Sequence, residues 1–215
     1  MTNFIEHLLD ICQEQAGSRI DDAGGIEALG VSNTEAVFPG LCSFSISQGG
    51  SPEDHLANVR ESTKFSMWQL YNEVVIAYAM DLEWITAIGC RGVAERALRI
   101  VFQERTGHPA DSRWSLGPLI KHSESEGVSE EILSIARRIK MEGDNLAHAK
   151  YESAEHWTGI EMRINPKEPK GPPIAHYKTG DAKACLLSTR DLLALAFGPK
   201  PNEPVQRIAE EACSR

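Results

Sequence analysis

Positive charge is in short supply in this 215-residue chain: 22 Lys and Arg stand against 31 Asp and Glu, a formal net charge of −9. That balance opposes non-specific attraction to nucleic-acid phosphates, so any nucleic-acid site has to be a focused basic patch. Paired cysteine is lacking too. The five cysteines (Cys12, Cys42, Cys90, Cys185 and Cys213) are odd in number, scattered and without a C-x-x-C pair. This argues against a disulfide framework and against a zinc ribbon, and for free thiols in a reducing, cytoplasmic setting. No apolar run approaches the roughly 18 residues of a membrane span. The longest, "VVIAYAM" at 74–80, reads as a core helix segment. The start, "MTNFIEHLLD", has no basic n-region or cleavage site and does not read as a signal peptide. Internal repeats and low-complexity blocks are lacking, as are a P-loop, a Rossmann fingerprint, a G-x-S-x-G elbow and an H-E-x-x-H site. No cofactor is expected.

What is present is helical periodicity. Residues 2–16 space Phe4, Ile5, Leu8, Leu9 and Cys12 at three and four, with Gly17 as a stop. Residues 18–50 are rich in Gly, Ser and Asp and look irregular, with "CSFSIS" as a candidate edge strand. "SPED" at 51–54 is a helix start, with Ser51 as cap, Pro52 in the first turn and two acids facing the dipole. A lead-in helix is expected over 52–64. "MWQLYNEVVIAYAMD" and "LEWITAIGCRGVAERALRIVFQERTG" follow, the latter stopped by Gly107. A short helix around "SLGPLIKH", a capped "SEEILSIARRIKME", a proline-rich connection near 158–178 and a final "DAKACLLSTRDLLALAF" complete the pattern. The expectation is an all-α bundle of about four long helices. Its divisions would be an irregular extension over 1–66, a helical domain over 67–198 and a tail over 199–215.

The stretch "KMEGDNLAHAK", Lys140 to Lys150, concentrates the candidate chemistry. Asp144, Asn145 and His148 lie within five residues, behind the cations Arg137, Arg138 and Lys140. Arg91 and Glu95 stand four apart on an earlier helix and could form an intrahelical ion pair or a partly buried pair reaching His148. His148, Glu152 and His156 are spaced i, i+4, i+8 and on a continuous helix could line a stripe for a divalent metal, or simply an acidic solvated face. With Arg163, Lys167 and Lys170, the trio Arg137, Arg138 and Lys140 is the candidate nucleic-acid patch, or an ordinary solvated face.

Taken in order, Tyr71-x-Glu73, Arg91-x-x-x-Glu95, the "LGPLI" helix, "GDNLAHA" and the closing "RDLLALAF" resemble the HEPN-like superfamily over about residues 68–198. The resemblance is nearest to an uncharacterised bacterial branch associated with restriction and antiviral defence loci. It implies an up-and-down helical bundle that pairs through its long helices, as a homodimer or in a heteromeric complex. In catalytic members an arginine, often followed by asparagine, precedes a histidine by a short gap, and two such motifs cleave RNA without metal. There arginine stabilises the phosphorane-like charge and histidine moves a proton near neutral pH.

In this chain Asp144 stands where asparagine is usual, and Glu142 adds a second negative charge beside His148. Acids so placed raise a histidine pKa and repel phosphate. The leading expectation is therefore a non-catalytic or regulatory protein acting through protein–protein contacts in a defence or toxin–antitoxin-like system. A metal-independent ribonuclease using His148 and a nucleotide or small-anion sensor are the alternatives.

Overall fold

The computed structural model describes residues 13–31, 34–147 and 179–199. Within them all regular structure is helical, and no strand occurs. Helix α1 is seen over residues 13–22. It is followed by three single-turn helices, α2 (Gly25–Ala28), α3 (Thr34–Val37) and α4 (Pro39–Cys42). The long helices are α5 (Pro52–Ala79), α6 (Glu83–Thr106), α8 (Glu130–Ala147) and α9 (Thr179–Phe197), with the shorter α7 (Leu116–Ser125) between the middle two. No described helix is long and apolar enough to cross a membrane.

Helix α6 is the axis of the bundle, because it packs on α5, α7, α8 and α9. Its sequence explains this. Cys90, Val93 and Ala97 are fully buried along one face, and Ala87, Ala94 and Leu98 along the next. Small residues predominate, so neighbouring helices come close. An added Cβ on Gly89 would collide with Cγ2 of Val74, and one on Gly92 would sit 3.0 Å from Cδ2 of Leu70. These two glycines seat α5 against α6 as an antiparallel hairpin. On α8, Leu133, Ala136 and Ile139 form a single buried stripe.

Expected starts and stops hold at several ends. Ser51 forms a complete capping box with Asp54, with Pro52 in the first turn. Gly107 ends α6 in the left-handed conformation, φ 79°. Other ends move. The lead-in helix and the first bundle helix are one 28-residue helix, so the division expected between 66 and 67 falls inside α5. Its polar stretch "RESTK" stays helical because neighbouring chain covers it, as described next. Helix α1 runs through Gly17 to residue 22. Beyond that glycine Ile20 is buried, and Arg19 donates to the Tyr78 carbonyl at 2.8 Å and pairs with Asp81 and Glu83.

The candidate edge strand at "CSFSIS" is instead an irregular strap over residues 43–50. Its backbone is met by side chains of α5 rather than by another strand. Ser45 N–H donates to Glu61 at 3.1 Å, and Ser47 N–H donates to Asn58 Oδ1 at 2.7 Å. Asn58 Nδ2 returns to the Ser47 carbonyl at 3.1 Å, and Lys64 Nζ reaches the Ser43 carbonyl at 3.3 Å. Backbone groups must find partners somewhere, and a helix face bearing Asn58, Glu61 and Lys64 supplies them. The N-terminal segment is locked to the bundle at a second point. Tyr71, fully buried, donates its hydroxyl to the Leu29 carbonyl at 2.6 Å and meets the Phe38 ring edge-on at 6.0 Å. Burial, and to a lesser degree the Cys90 thiol, push the Tyr71 phenol well above its ordinary range.

Candidate functional site

The site sits where α8 crosses α6. Gly143 lies buried inside the continuous α8. A Cβ there would stand 3.0 Å from both Cβ and Cδ of Arg91 and 3.4 Å from the Ala87 carbonyl oxygen. Only glycine lets the two helices touch at this level, and the touch places the next residue, Asp144, against Arg91. Arg91 Nε and Asp144 Oδ1 are 2.9 Å apart, with side chains 29% and 19% exposed. Both atoms are out of water without hydrogen-bond alignment, so their attraction is that of an ion pair. The second Asp144 oxygen holds Lys140 Nζ, one turn earlier on α8.

Two cations thus converge on one carboxylate. An incoming phosphate would have to displace Asp144 from Arg91 and Lys140 before meeting either cation, which makes the centre a poor anion receptor as built.

The expected residues divide as follows. Arg91, Asp144 and Lys140 are brought together. Glu95 is turned away: its partner is Arg99, one turn on, at 3.1 Å. The i, i+4 ion pair on α6 therefore joins Glu95 to Arg99 rather than to Arg91. The reason is position, because Arg91 faces α8 while Glu95, one turn on, sits with Arg99 in a cleft beside α5. Of the remaining cations, Arg137 is held by Glu130 at 2.6 Å and Glu124 at 3.2 Å. The hydrogen bond it donates to Glu130 raises its already high pKa further. Arg138 is exposed. The side chain of Asn145, and the whole of His148, Glu152, His156, Arg163, Lys167 and Lys170, lie outside the described residues. Tyr71 of the Tyr-x-Glu pair is the buried anchor already noted, and Glu73 is exposed. Among the described residues no cluster of three or more His, Cys, Asp or Glu is placed to hold a metal. Cys42, Cys90 and Cys185 are free thiols.

Sequence reasoning missed a buried charge cluster on α5. Glu61 and Lys64, 3% and 5% exposed, are 3.3 Å apart, and Arg60 Nε also reaches Glu61 at 2.8 Å. Their i, i+3 spacing was legible, but spacing alone does not distinguish a solvated pair from a buried one. Burial here comes from the strap, which is itself irregular. No protein-family model matches the chain, and neither a curated protein nor a solved structure shows significant similarity to it.

Proposed function

We propose that this chain is a non-catalytic HEPN-like helical protein that acts through protein–protein contacts, in a bacterial defence or toxin–antitoxin-like system. The observation that carries the non-catalytic part is the Asp144 carboxylate, which takes both Arg91 and Lys140. A ribonuclease of this type needs an arginine free to meet phosphate beside its histidine; Arg91 is committed to Asp144, which leaves exposed Arg138 as the arginine that such an enzyme would have to use. The protein-contact part is supported by an apolar outer face on the α5–α6 hairpin. Ile76, Met80, Leu82, Ile85 and Ile88 are 63%, 50%, 46%, 58% and 47% exposed. Apolar side chains gathered at one end of a hairpin suit association, either with a second copy or with a different subunit. The defence setting, the HEPN-like kinship and a cytoplasmic location rest on the sequence resemblance and the free thiols.

The test is incubation of the purified protein with total RNA, alongside His148→Ala. No cleavage by either protein is the expected result. Specific cleavage by the wild type that disappears in a folded His148→Ala protein would replace this reading with the ribonuclease. That alternative keeps one supporting observation, that Arg91 does reach the segment of α8 leading to His148.

A further inference from the structure

A second polar feature lies further along α6, between α5, α6 and the loop after Gly107. It is a cleft of about 400 Å³, toward the lower end of small-molecule sites. The α6 wall presents Arg96 and Arg99, the α5 wall Thr63 and Ser66, and the loop closes the third side near Ala110 and Ser112. The loop is fixed there by Arg99, whose guanidinium donates to the carbonyls of Asp111 at 3.0 Å and Trp114 and pairs with Glu95. Arg99 is therefore a structural cation, saturated by its partners.

Arg96 is not. Along α6, Arg91 has Asp144, Arg99 has Glu95, and Arg105 has the Glu126 carbonyl across the chain at 3.0 Å. Arg96 makes a single long bond to the Gly92 carbonyl of its own helix, 3.3 Å. Its guanidinium occupies room that Gly92 leaves open, since a Cβ there would come within 3.4 Å of Arg96 Nη1. The one carboxylate lining the cleft, Glu95, is turned to Arg99, so the local balance is positive in a chain whose overall charge is −9.

The opposite wall is selective in another way. Thr63 donates its hydroxyl hydrogen to the Val59 carbonyl at 2.8 Å, and Ser66 donates to the Thr63 carbonyl at 3.0 Å. With their hydrogens so used, both oxygens present lone pairs only and can accept but not donate. Inorganic phosphate has only its one or two P–OH hydrogens near pH 7, on the same group that Arg96 would hold, so it cannot meet both walls at once. A ligand with an anionic head and hydroxyl groups can.

We propose that this cleft binds a small phosphate monoester on a hydroxylated skeleton. Arg96 takes the phosphoryl oxygens, and Thr63 and Ser66 accept from the ligand's hydroxyls. A nucleoside monophosphate and a sugar phosphate share this chemistry. The site is separate from the Arg91–Asp144 centre and does not depend on what that centre does.

Calorimetric titration of the full chain with AMP, ribose 5-phosphate and inorganic phosphate tests it. At least one of the two esters is expected to bind clearly more tightly than inorganic phosphate. AMP alone binding identifies a nucleotide, both binding identifies a sugar phosphate, and either supports the cleft. Arg96→Gln should weaken the ester by about tenfold or more, as loss of a charge-assisted contact does. Thr63→Val should weaken the ester while leaving inorganic phosphate unchanged, and Lys121→Gln, at an exposed position of α7, should change neither. Melting curves of each variant check folding, with Thr63→Val as the second probe should Arg96→Gln melt early. The proposal is overturned by either of two results: no ester binding below about 10 mM, or inorganic phosphate binding as tightly as the esters. Ester affinity unaltered in Arg96→Gln overturns it equally.

Discussion

At the residue scale, two side chains do more than their type suggests. The Tyr71 hydroxyl joins the N-terminal segment to the bundle through the buried Leu29 carbonyl. Tyr71→Phe would leave that carbonyl unpaired and should cost about 1–3 kcal/mol in urea denaturation at pH 7. The pH dependence has a definite sign. The folded phenol stays protonated well above the point, about pH 10, at which the unfolded one ionises. Its stabilisation is thus complete below about pH 10 and declines above it, by up to about 1.4 kcal/mol per pH unit. The gap between wild type and Tyr71→Phe should narrow as denaturation is repeated from pH 8 upward through 10. Asp144 is the other such residue. Asp144→Asn keeps the shape and removes the charge that holds Arg91 and Lys140. It should lower stability by about 1–2 kcal/mol and raise affinity for a polyanion such as poly(U), with a salt slope steeper by about one to two contacts. Unchanged polyanion binding in the variant would mean that the carboxylate does not screen these cations.

At the scale of elements, the glycines of the helices fall into two kinds. Gly89 meets Val74 on α5, and Gly143 meets Arg91 on α6, whereas Gly17 of α1 has nothing within 4 Å of an added Cβ. Alanine is the better helix former by about 1 kcal/mol at all three. At Gly89 and Gly143 the steric cost of pushing two helices apart should win, and alanine there should destabilise by about 1–3 kcal/mol. Gly17→Ala should be neutral or stabilising by about 0.5–1 kcal/mol. Thermal melts of the three single variants decide it, and a uniform effect of one sign would mean that helix contact is not what selects glycine. The expected stop at Gly17 failed for a related reason. A glycine reads as a helix terminator in sequence, but α1 continues past Gly17 to residue 22, where Ile20 is buried and Arg19 is held by Tyr78, Asp81 and Glu83. Gly107, whose C-terminal side leads into open loop, does terminate, and its positive φ shows why.

At the scale of the whole molecule, the outer face of the α5–α6 hairpin carries the association proposed above. Ile85→Asp and Ile88→Asp place charge on exposed positions and should leave the melting temperature nearly unchanged, within the roughly 0.5 kcal/mol typical of surface substitutions. In light scattering at tens of micromolar, by order of magnitude, the wild type is expected as a dimer and the double variant as a monomer. A wild type that is monomeric and binds no other subunit would remove the protein-contact part of the proposal.

The sequence by itself determined that the regular structure of the described residues is mostly helical, and where several of the helices begin or end. Those features are written in local terms, namely apolar spacing along "ALRIVF", a capping box at Ser51 and a left-handed glycine at 107. It also singled out Arg91 and Asp144 as candidate site residues. Only the tertiary structure decided which partner each charge takes. Glu95 goes to Arg99 and Arg91 to Asp144 because the packing of α6 sets Arg91 against α8 and leaves Glu95 one turn on, beside Arg99 in the cleft toward α5. It likewise decided that "CSFSIS" is a strap rather than a strand. Alternating sequence licenses an edge strand only if another edge is at hand, and here the nearest partner is the Asn58–Glu61–Lys64 face of a helix.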